Sequence, residues 1–432
     1  MYPNLYYAFK DLLGVEIPFF KLFQTFGFFV AIAFLAAAYV LTSELKRRER
    51  MGLLIGIPEK VIVGKPVTMT EVFGHALLGF LLGFKILGIA FEWADASQDL
   101  QSYIMSGRGN LLGGLILGGV LGYLKYASGK KQASAKPEEK TITIMPHQRV
   151  PDFTVMAAIA GLLGAKIFHN LENWGDFVKD PIGALLSFSG LTFYGGLILA
   201  SIVIIYYANS KKINVLHLID SAAPGLMLAY GLGRMGCHFS GDGDWGIYNS
   251  SYITDASGHV QLADPSKFQE VVKASEQFFA RQYGSLEHIP HAPFAKPGAL
   301  SFLPDWMFAY GYPHNVINEG VQMAGCGGKY CNVLPIAVYP TPLYEIIACL
   351  LLFAVLWSIR KKVTIPGAIF GIYLVLNGVE RFFIEKIRVN TKYDIFGFHP
   401  TQAEIISSLM VIGGAVWIWY CRKLQKAVKP VS

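Results

Sequence analysis

The stretch LHLIDSAAPGLMLAYGL, Leu216 to Leu232, runs directly into GRMGCHFSGDGDWG, Gly233 to Gly246. The first part is largely apolar and, with its flanks, long enough to cross a bilayer. The second sets an arginine, a histidine and two aspartates among five glycines just where that run ends. Ionisable groups at the end of a span are costly unless they face a polar cavity. Glycine, having no side chain, lets a large ligand approach the backbone. The junction therefore reads as a polar site at a membrane surface.

Composition points the same way. Of the 432 residues, 53% are hydrophobic and only 16% charged, against about 25% charged in a soluble domain, which implies a membrane protein with one sizeable polar region. The net charge of +7 is not a nucleic-acid signal. Its lysines and arginines cluster in short connections: Lys46 to Arg50, Lys125 to Lys140, Lys211 with Lys212, Arg360 to Lys362, and Arg422 to Lys426. Basic clusters between apolar runs mark the cytoplasmic side. The opening MYPNLYYAFKDLL lacks the basic start and small-residue cleavage site of a signal peptide. It reads as a short amphipathic lead-in at the interface, and there is no lipidation motif.

Nine spans are expected, at about 20–43, 72–92, 109–126, 152–172, 184–207, 214–236, 341–359, 366–384 and 402–421. Every second connection carries a basic cluster. The alternate ones, such as Glu92 to Asp99 and Glu172 to Asp180, are acidic or neutral. The expected fold is thus an all-α polytopic membrane protein with about nine transmembrane helices and a large outer-face loop lobe. Its N-terminus lies outside and its C-terminus inside. The expected organisation is 1–71 for the lead-in, first span and cytoplasmic loop, and 72–126 for an extra hairpin. A basic linker follows at 127–151, then core spans at 152–239, the irregular or β-containing lobe at 240–340, and three C-terminal spans at 341–432.

The extra hairpin is read from an internal repeat. Leu77 to Trp93 resembles Ala158 to Trp174, GGLIL at Gly113 recurs at Gly195, and Lys125 to Lys131 matches Tyr206 to Lys212, at an offset of 81 to 82 residues. The residue before the paired glycines is Leu112 in the first copy and Tyr194 in the second. Only the second offers a hydroxyl, so the chemistry is expected there.

Three constellations carry ionisable or hydroxyl groups to the same expected depth. One is the opening segment, with Arg234, His238, Asp242 and Asp244. Another is ERFFIEKIR, Glu380 to Arg388, where spacing of i, i+4 and i+7 puts Arg381, Glu385 and Arg388 on one helix face. The third is SGLTFYGG, Ser189 to Gly196. Converging arginines suit a phosphate, which guanidinium binds with planar, two-pronged hydrogen bonds. A single arginine at a span end can simply snorkel to headgroups; three such sites at one depth argue for more. Tyr194 alone would be an interfacial anchor, and Asp242 and Asp244 alone would be turn residues.

Gly231 to Gly236 matches the G-x-G-x-x-G dinucleotide pattern, but an apolar helix precedes it where that pattern needs a strand. The EHIPH segment, Glu287 to His291, fits no strong metal spacing, and no P-loop, H-E-x-x-H or G-x-S-x-G occurs, so no cofactor or metal is expected. Among the five cysteines, Cys326 and Cys331 share the outer loop, where a local disulfide is a candidate. Cys349 and Cys421 read as packing residues, and Cys237 sits within the site.

These motifs resemble the prolipoprotein diacylglyceryl transferase family. GRMG (Gly233 to Gly236) and Gly246 match the ends of its G-R-x-G-N-F-x-N-x-E-x-x-G signature, with one extra residue between. Cys237 replaces the asparagine, and Asp242 or Asp244 the glutamate. Gly161 to Glu172 resembles the G-x-x-G-A-R segment, and SGLTFYGG resembles G-x-S-F-H-G-G with Tyr194 in the histidine's place. Tyr339 to Glu345 resembles H-P-[ST]-Q-L-Y-E, Arg381 to Arg388 the R-x-x-x-E-x-x-R helix, and Thr401 to Ser407 the start of the last span. Near Phe26 the chain has TFG where the family has W-Y-G. These variant motifs resemble those of Bacteroidetes-type members. The repeat at 72–126 and much of the 240–340 loop look like additions.

The resemblance implies transfer of the diacylglyceryl group from phosphatidylglycerol to the lipobox cysteine of prolipoproteins. The thiol sulfur forms a thioether and glycerol phosphate leaves. It implies a multi-pass protein of the bacterial inner membrane, with membrane lipids and lipobox signal peptides as partners and no nucleic acid. Such chemistry must make a thiolate from a group of pKa about 8.5 and stabilise a leaving phosphate. Arg234 and Arg381 are expected to hold that phosphate, with Glu385 orienting Arg381. Asp242 or Asp244 orients Arg234 or the headgroup glycerol. For the base, His238 is best tuned by its ordinary pKa of roughly 6.5, whereas Tyr194 holds the motif position. Gly195, Gly196, Gly236, Cys237, Gly246, Tyr344, Glu345 and Arg388 complete the expected substrate-binding set. The alternative is a non-catalytic lipid-binding or transport protein on the same fold.

Overall fold

Long apolar segments cannot leave backbone N–H and C=O groups unpaired in lipid, so they close on themselves as helices. A computed structural model describes residues 1–63, 66–97, 100–132, 138–186, 192–390, 393–394 and 397–428. It opens with α1 (Leu5–Leu13), α2 (Thr25–Arg50), strand β1 (Ile57–Val63), α3 (Met69–Phe91) and the short α4 (Trp93–Ala96) and α5 (Leu100–Met105). Next come α6 (Leu111–Gln132), β2 (Glu138–Ile144), α7 (Val150–Glu172), α8 (Trp174–Lys179), α9 (Pro181–Leu186) and α10 (Phe193–Ser210). Helix α11 (Val215–Ser240) leads into a lobe of β3 (Tyr248–Thr254), β4 (Val260–Leu262), α12 (Pro265–Ala274), α13 (Glu276–Tyr283) and β5 (His291–Ala292). The lobe closes with β6 (Val321–Gln322), β7 (Asn332–Val333) and β8 (Ile336–Val338), before α14 (Thr341–Ile359), α15 (Ala368–Glu385) and α16 (Gln402–Val428).

Among the described residues eight helices, α2, α3, α6, α7, α10, α11, α14 and α16, are long and apolar enough to cross a membrane. The chain is therefore a helical multi-pass membrane protein. The remaining expected span, α15, is 18 residues long and carries Glu380, Arg381 and Glu385 in its last turns. Those groups make it too polar to stand with the other eight.

Two units make up the chain: Met1–Arg48 with Leu216–Ser432, and Glu49–Val215. In the second unit the repeat is visible in side-by-side detail. A Cβ on Gly83 would lie 2.7 Å from Leu117 Cβ, and a Cβ on Gly164 would lie 2.7 Å from Leu199 Cβ. The α3–α6 and α7–α10 hairpins thus bring their helix backbones together through glycines at equivalent positions, as small residues allow in lipid. Within the expected basic linker, β2 pairs antiparallel with β1 from Ile57↔Ile144 to Val63↔Glu138. The sequence did not suggest this ribbon. Glu59 of β1 forms an ion pair with Arg149 at 2.6 Å and accepts from Lys211 at 2.9 Å, tying the ribbon to the ends of α7 and α10.

In the first unit, helix α11 runs through Ser240, one turn past the end expected from hydropathy. Gly231 to Gly236 lies inside it, so no strand–turn–helix exists there for a dinucleotide. At its other end, fully buried Asp220 accepts from the backbone N–H groups of Gly367 (2.8 Å) and Phe370 (3.0 Å), the first donors of α15. It also pairs with buried Arg48 at 3.3 Å, and Arg48 Nη1 lies 2.7 Å from His217 Nδ1. Asp220→Ala is expected to destabilise the protein by about 3–5 kcal/mol, the usual result of leaving a buried charge unpaired. A thermal-unfolding midpoint in detergent checks this.

The lobe is built on a four-stranded sheet in which β3 pairs β4 and β8 antiparallel and β5 parallel. Trp245, Tyr248, Phe279, Tyr312 and Ile336 are among its core residues. Cys326 and Cys331 are joined, with Cα atoms 5.6 Å apart. The lobe is anchored to the membrane part by backbone pairing. Gly246 N–H donates to Tyr339 O at 2.9 Å, and Ile247 N–H donates to Ile387 O at 2.9 Å.

Candidate active site

The arginine of α11 sits one helical turn after Tyr230 and one before Cys237, so all three share a face. The Arg234 guanidinium lies over the Tyr230 ring, 5.4 Å from its centroid. Its Nη1 is 3.7 Å from Cys237 Sγ. Ser240 ends the helix, and Asp242 accepts from the Asp244 N–H at 3.2 Å, folding the chain back so that Asp244 meets Arg234. Gly246 is required for the next step. A Cβ there would lie 2.6 Å from Ile387 O and 2.8 Å from Thr341 Cγ2, so only glycine allows the close approach that delivers Arg388. Arg388 Nη2 then binds Asp244 Oδ1 at 2.7 Å.

Glu345, in the first turns of α14 and fully buried, is the hub on the other side. It accepts from Tyr230 Oη at 2.8 Å, pairs with Arg234 Nε at 3.2 Å and Arg381 Nη1 at 3.2 Å, and faces Arg388 Nη1 at 3.8 Å. Arg381 also binds Glu385 at 2.9 Å, one turn along α15, and Glu385 accepts from Asn390 at 2.5 Å. Three arginines from two helix ends thus converge on three carboxylates.

Two nitrogens of Arg388, Nε and Nη1, are buried with no hydrogen-bond acceptor among the described residues. Buried polar groups nearly always have a hydrogen-bond partner, so this pair of nitrogens stands out. Both carboxylate oxygens of Glu380 are likewise buried without a hydrogen-bond partner. Burial alone would push the Asp244 carboxyl up, but Arg388 and Arg234 outweigh it and hold it down at about 2. Asp242 goes the other way: burial dominates and raises it.

The sign of each shift sets a pH dependence. The Asp244 contribution to stability is present above the ordinary carboxylate value and is lost as pH falls toward about 2. Ionised Asp242 instead penalises the folded state as pH rises through and above that value. Asp242→Asn is therefore expected to raise the thermal midpoint at neutral pH and leave it unchanged below pH about 3, where both side chains are neutral. Thermal unfolding across pH checks this.

Arg234, Cys237, Asp242, Asp244, Glu345, Arg381, Glu385 and Arg388 come together as one cluster. Asp244, and not Asp242, takes the arginine-pairing position that the sequence left open between them. Asp244 is shared by Arg234 and Arg388, whereas Arg381 is turned to Glu345 and Glu385. Gly236 packs against the backbone of Phe26 at the start of α2. Tyr344 donates from Oη to Met307 O in the lobe at 2.9 Å.

His238, one position on from Cys237, turns away from the arginines. Its Nδ1 lies 3.2 Å from Tyr312 Oη, and its ring packs against Phe239, Tyr310 and Tyr312. Tyr194, Gly195 and Gly196 begin α10 in the other unit, where both glycines are buried against α7. Ser189 to Leu191 of the same motif lie outside the described residues. Tyr230 and Glu380 were missed by the sequence reading. The i, i+4 relation of Tyr230 to Arg234 was the available signal, and nothing in the pattern singled out Glu380.

Cys237 Sγ, Asp242 and Asp244 offer three ligand atoms within 4.8 Å of one another. Asp244, however, is committed to two guanidinium groups, whose charge disfavours a cation at that spot.

Comparison with known proteins bears on what this cluster serves. Residues 113–420, more than two thirds of the chain, match the family model described as prolipoprotein diacylglyceryl transferase. A phosphatidylglycerol–prolipoprotein diacylglyceryl transferase of Dehalococcoides mccartyi is 25% identical over 274 residues, covering 63% of this chain and 76% of its own length. One from Streptococcus pyogenes serotype M5, with the same description, is 25% identical over 281 residues, covering 64% and 80%.

Proposed function

This chain belongs to the prolipoprotein diacylglyceryl transferase family, and on that footing we propose that its arginine–carboxylate cluster is where a phosphatidylglycerol headgroup is held for transfer. The protein moves the diacylglyceryl group from phosphatidylglycerol to a prolipoprotein, the substrates named for its relatives, and on this reading the acceptor is a cysteine thiol. The thiol sulfur bonds to the glycerol carbon that carries the phosphate, the carbon–oxygen bond breaks, and glycerol phosphate leaves with the electron pair. The thiol proton passes to a base.

The observation that carries this reading is the pair Arg234 and Arg388. They already share one anion, Asp244, and two buried nitrogens of Arg388 have no acceptor among the described residues. A phosphate oxygen supplies the missing acceptor, and charge building on the leaving group strengthens both contacts in the transition state. Arg381 acts at one remove, with Glu345 and Glu385 fixing it and setting the spacing of the other two guanidinium groups. Cys237, 3.7 Å from Arg234, stands where the family has asparagine and lines the same pocket.

For the base, the aromatic setting of His238 and its hydrogen bond to Tyr312 fit a brace between α11 and the lobe better than a proton acceptor. Tyr194 holds the family's histidine position on α10. The basic clusters support an inner-membrane topology with a periplasmic N-terminus, a cytoplasmic C-terminus and the lobe outside, where a lipobox signal peptide presents its cysteine. Of the repeat at 72–126, α3 lies before the family match, which begins at residue 113 within α6. The family match gives no support to the non-catalytic alternative.

The test is transfer of a labelled diacylglyceryl group from phosphatidylglycerol to a lipobox peptide by the purified protein in vesicles. Thioether formation with release of glycerol phosphate is expected. No transfer from any anionic phospholipid would favour the lipid-binding alternative.

A further inference from the structure

The lobe carries a loop, PFAKPGALSFLPDWMF from Pro293 to Phe308, that exposes apolar surface in an unusual place. Phe302 is 77% exposed, and Phe294 and Trp306 are exposed as well. The loop is held in shape by turns, with Leu300 N–H donating to Pro297 O at 2.8 Å and Phe308 N–H to Asp305 O at 2.8 Å. Lys296 Nζ reaches Leu303 O at 3.0 Å and Asp305 at 2.7 Å, so its charge is spent inside the loop.

The loop docks on the first turn of α14 through the bond from Tyr344 Oη to Met307 O. From that tyrosine an exposed stripe runs down the same helix: Ile347, Leu351 and Val355, at spacings of three, four and four residues. On a membrane-spanning helix such a stripe faces lipid. The loop therefore continues the lipid-facing flank of α14 upward, at the depth where the span begins. Beneath it lies a cavity of about 360 Å³, almost wholly apolar, lined by Phe294, Leu300, Leu303, Met307, Tyr344 and Ile387. Ile387 immediately precedes Arg388.

We infer that Pro293–Phe308 is a membrane-dipping loop whose exposed aromatics sit in the headgroup–acyl boundary and whose cavity takes the acyl chain of a membrane lipid. Trp and Phe on a short loop at that depth are the side chains that partition there. The occupant is argued from continuity with the α14 flank; in a soluble lobe the same residues would leave apolar surface facing water. The inference rests on α14 crossing the membrane and does not depend on the transfer reaction.

Phosphatidylglycerol bearing a diazirine near the end of one acyl chain, photolysed with the wild-type protein in vesicles, tests it directly. Label is expected on the Pro293–Phe308 segment as well as on the Ile347, Leu351 and Val355 stripe, which serves as the internal control. Label on the stripe and none on the loop would overturn the inference. So would labelling of the loop solely by a lipobox peptide carrying a photoreactive leucine. A second measurement needs no lipid probe. A nitroxide at Phe302→Cys is expected to shift from the water-accessible behaviour of Lys267→Cys to the oxygen-accessible behaviour of Leu351→Cys, and behaviour like Lys267→Cys contradicts it. Labelling of the loop without any diacylglyceryl transfer would leave this inference standing and sink the proposed reaction.

Discussion

Arg388→Ala is expected to lower diacylglyceryl transfer by about 10²–10³-fold, the usual effect of removing one preorganised donor aimed at developing charge. Arg388 lies beyond the end of α15, so the change removes no helical hydrogen bond. It does remove the cation that shares Asp244 with Arg234 and the two buried nitrogens that await an acceptor. Arg388→Lys is expected to restore only part of the rate. An ammonium supplies the charge but not the planar fork that grips a phosphate and Asp244 together. Rates against phosphatidylglycerol concentration check this, with a raised KM for the lipid and an unchanged KM for the peptide as the accompanying pattern. A rate equal to wild type would remove Arg388 from the site.

Glu345→Gln is expected to destabilise the protein by about 3–5 kcal/mol, because it strands buried positive charge that one carboxylate now neutralises. The amide can still accept from Tyr230 Oη, so the loss reports charge rather than shape. Glu345 is fully buried and faces all three arginines, at 3.2, 3.2 and 3.8 Å. Their mutual repulsion in a low-dielectric setting then spreads the cluster. Adding Arg381→Gln is expected to recover part of the lost stability, since it removes one of the stranded charges, and a double-mutant cycle by thermal unfolding measures that coupling. Unchanged stability in the single variant would show that Glu345 is not the hub.

Much of this was legible in the chain, and the parts that were not share physical causes. Hydropathy marks the spans because lipid leaves the backbone no alternative to helix. The repeat offset of 81 to 82 residues anticipated the paired glycines Gly83 and Gly164. The helical spacing of Arg381, Glu385 and Arg388 put them on one face, and the structure brings Arg388, not Arg381, to Asp244. Arg388 leaves the helix and is carried to Asp244 by pairing with Gly246, a long-range contact that no local pattern encodes. The one-turn extension of α11 was hidden because glycines weaken a helix in isolation, while packing of Gly236 on Phe26 holds it together. The β1–β2 ribbon joins segments about 80 residues apart and rests on pairing alone. Cys326 and Cys331 were close enough in sequence for their bond to be considered from spacing.

On the proposed function, the Arg234–Asp244–Arg388 constellation binds the phosphate of phosphatidylglycerol during transfer to a cysteine thiol. The most direct measurement is transfer of labelled diacylglyceryl from phosphatidylglycerol to a lipobox peptide, run in parallel with wild-type protein and Arg234→Ala in the same vesicles. Transfer by the wild type and a loss of about 10²-fold or more in the variant is the predicted result. Equal transfer by the two proteins would contradict the assignment of the site.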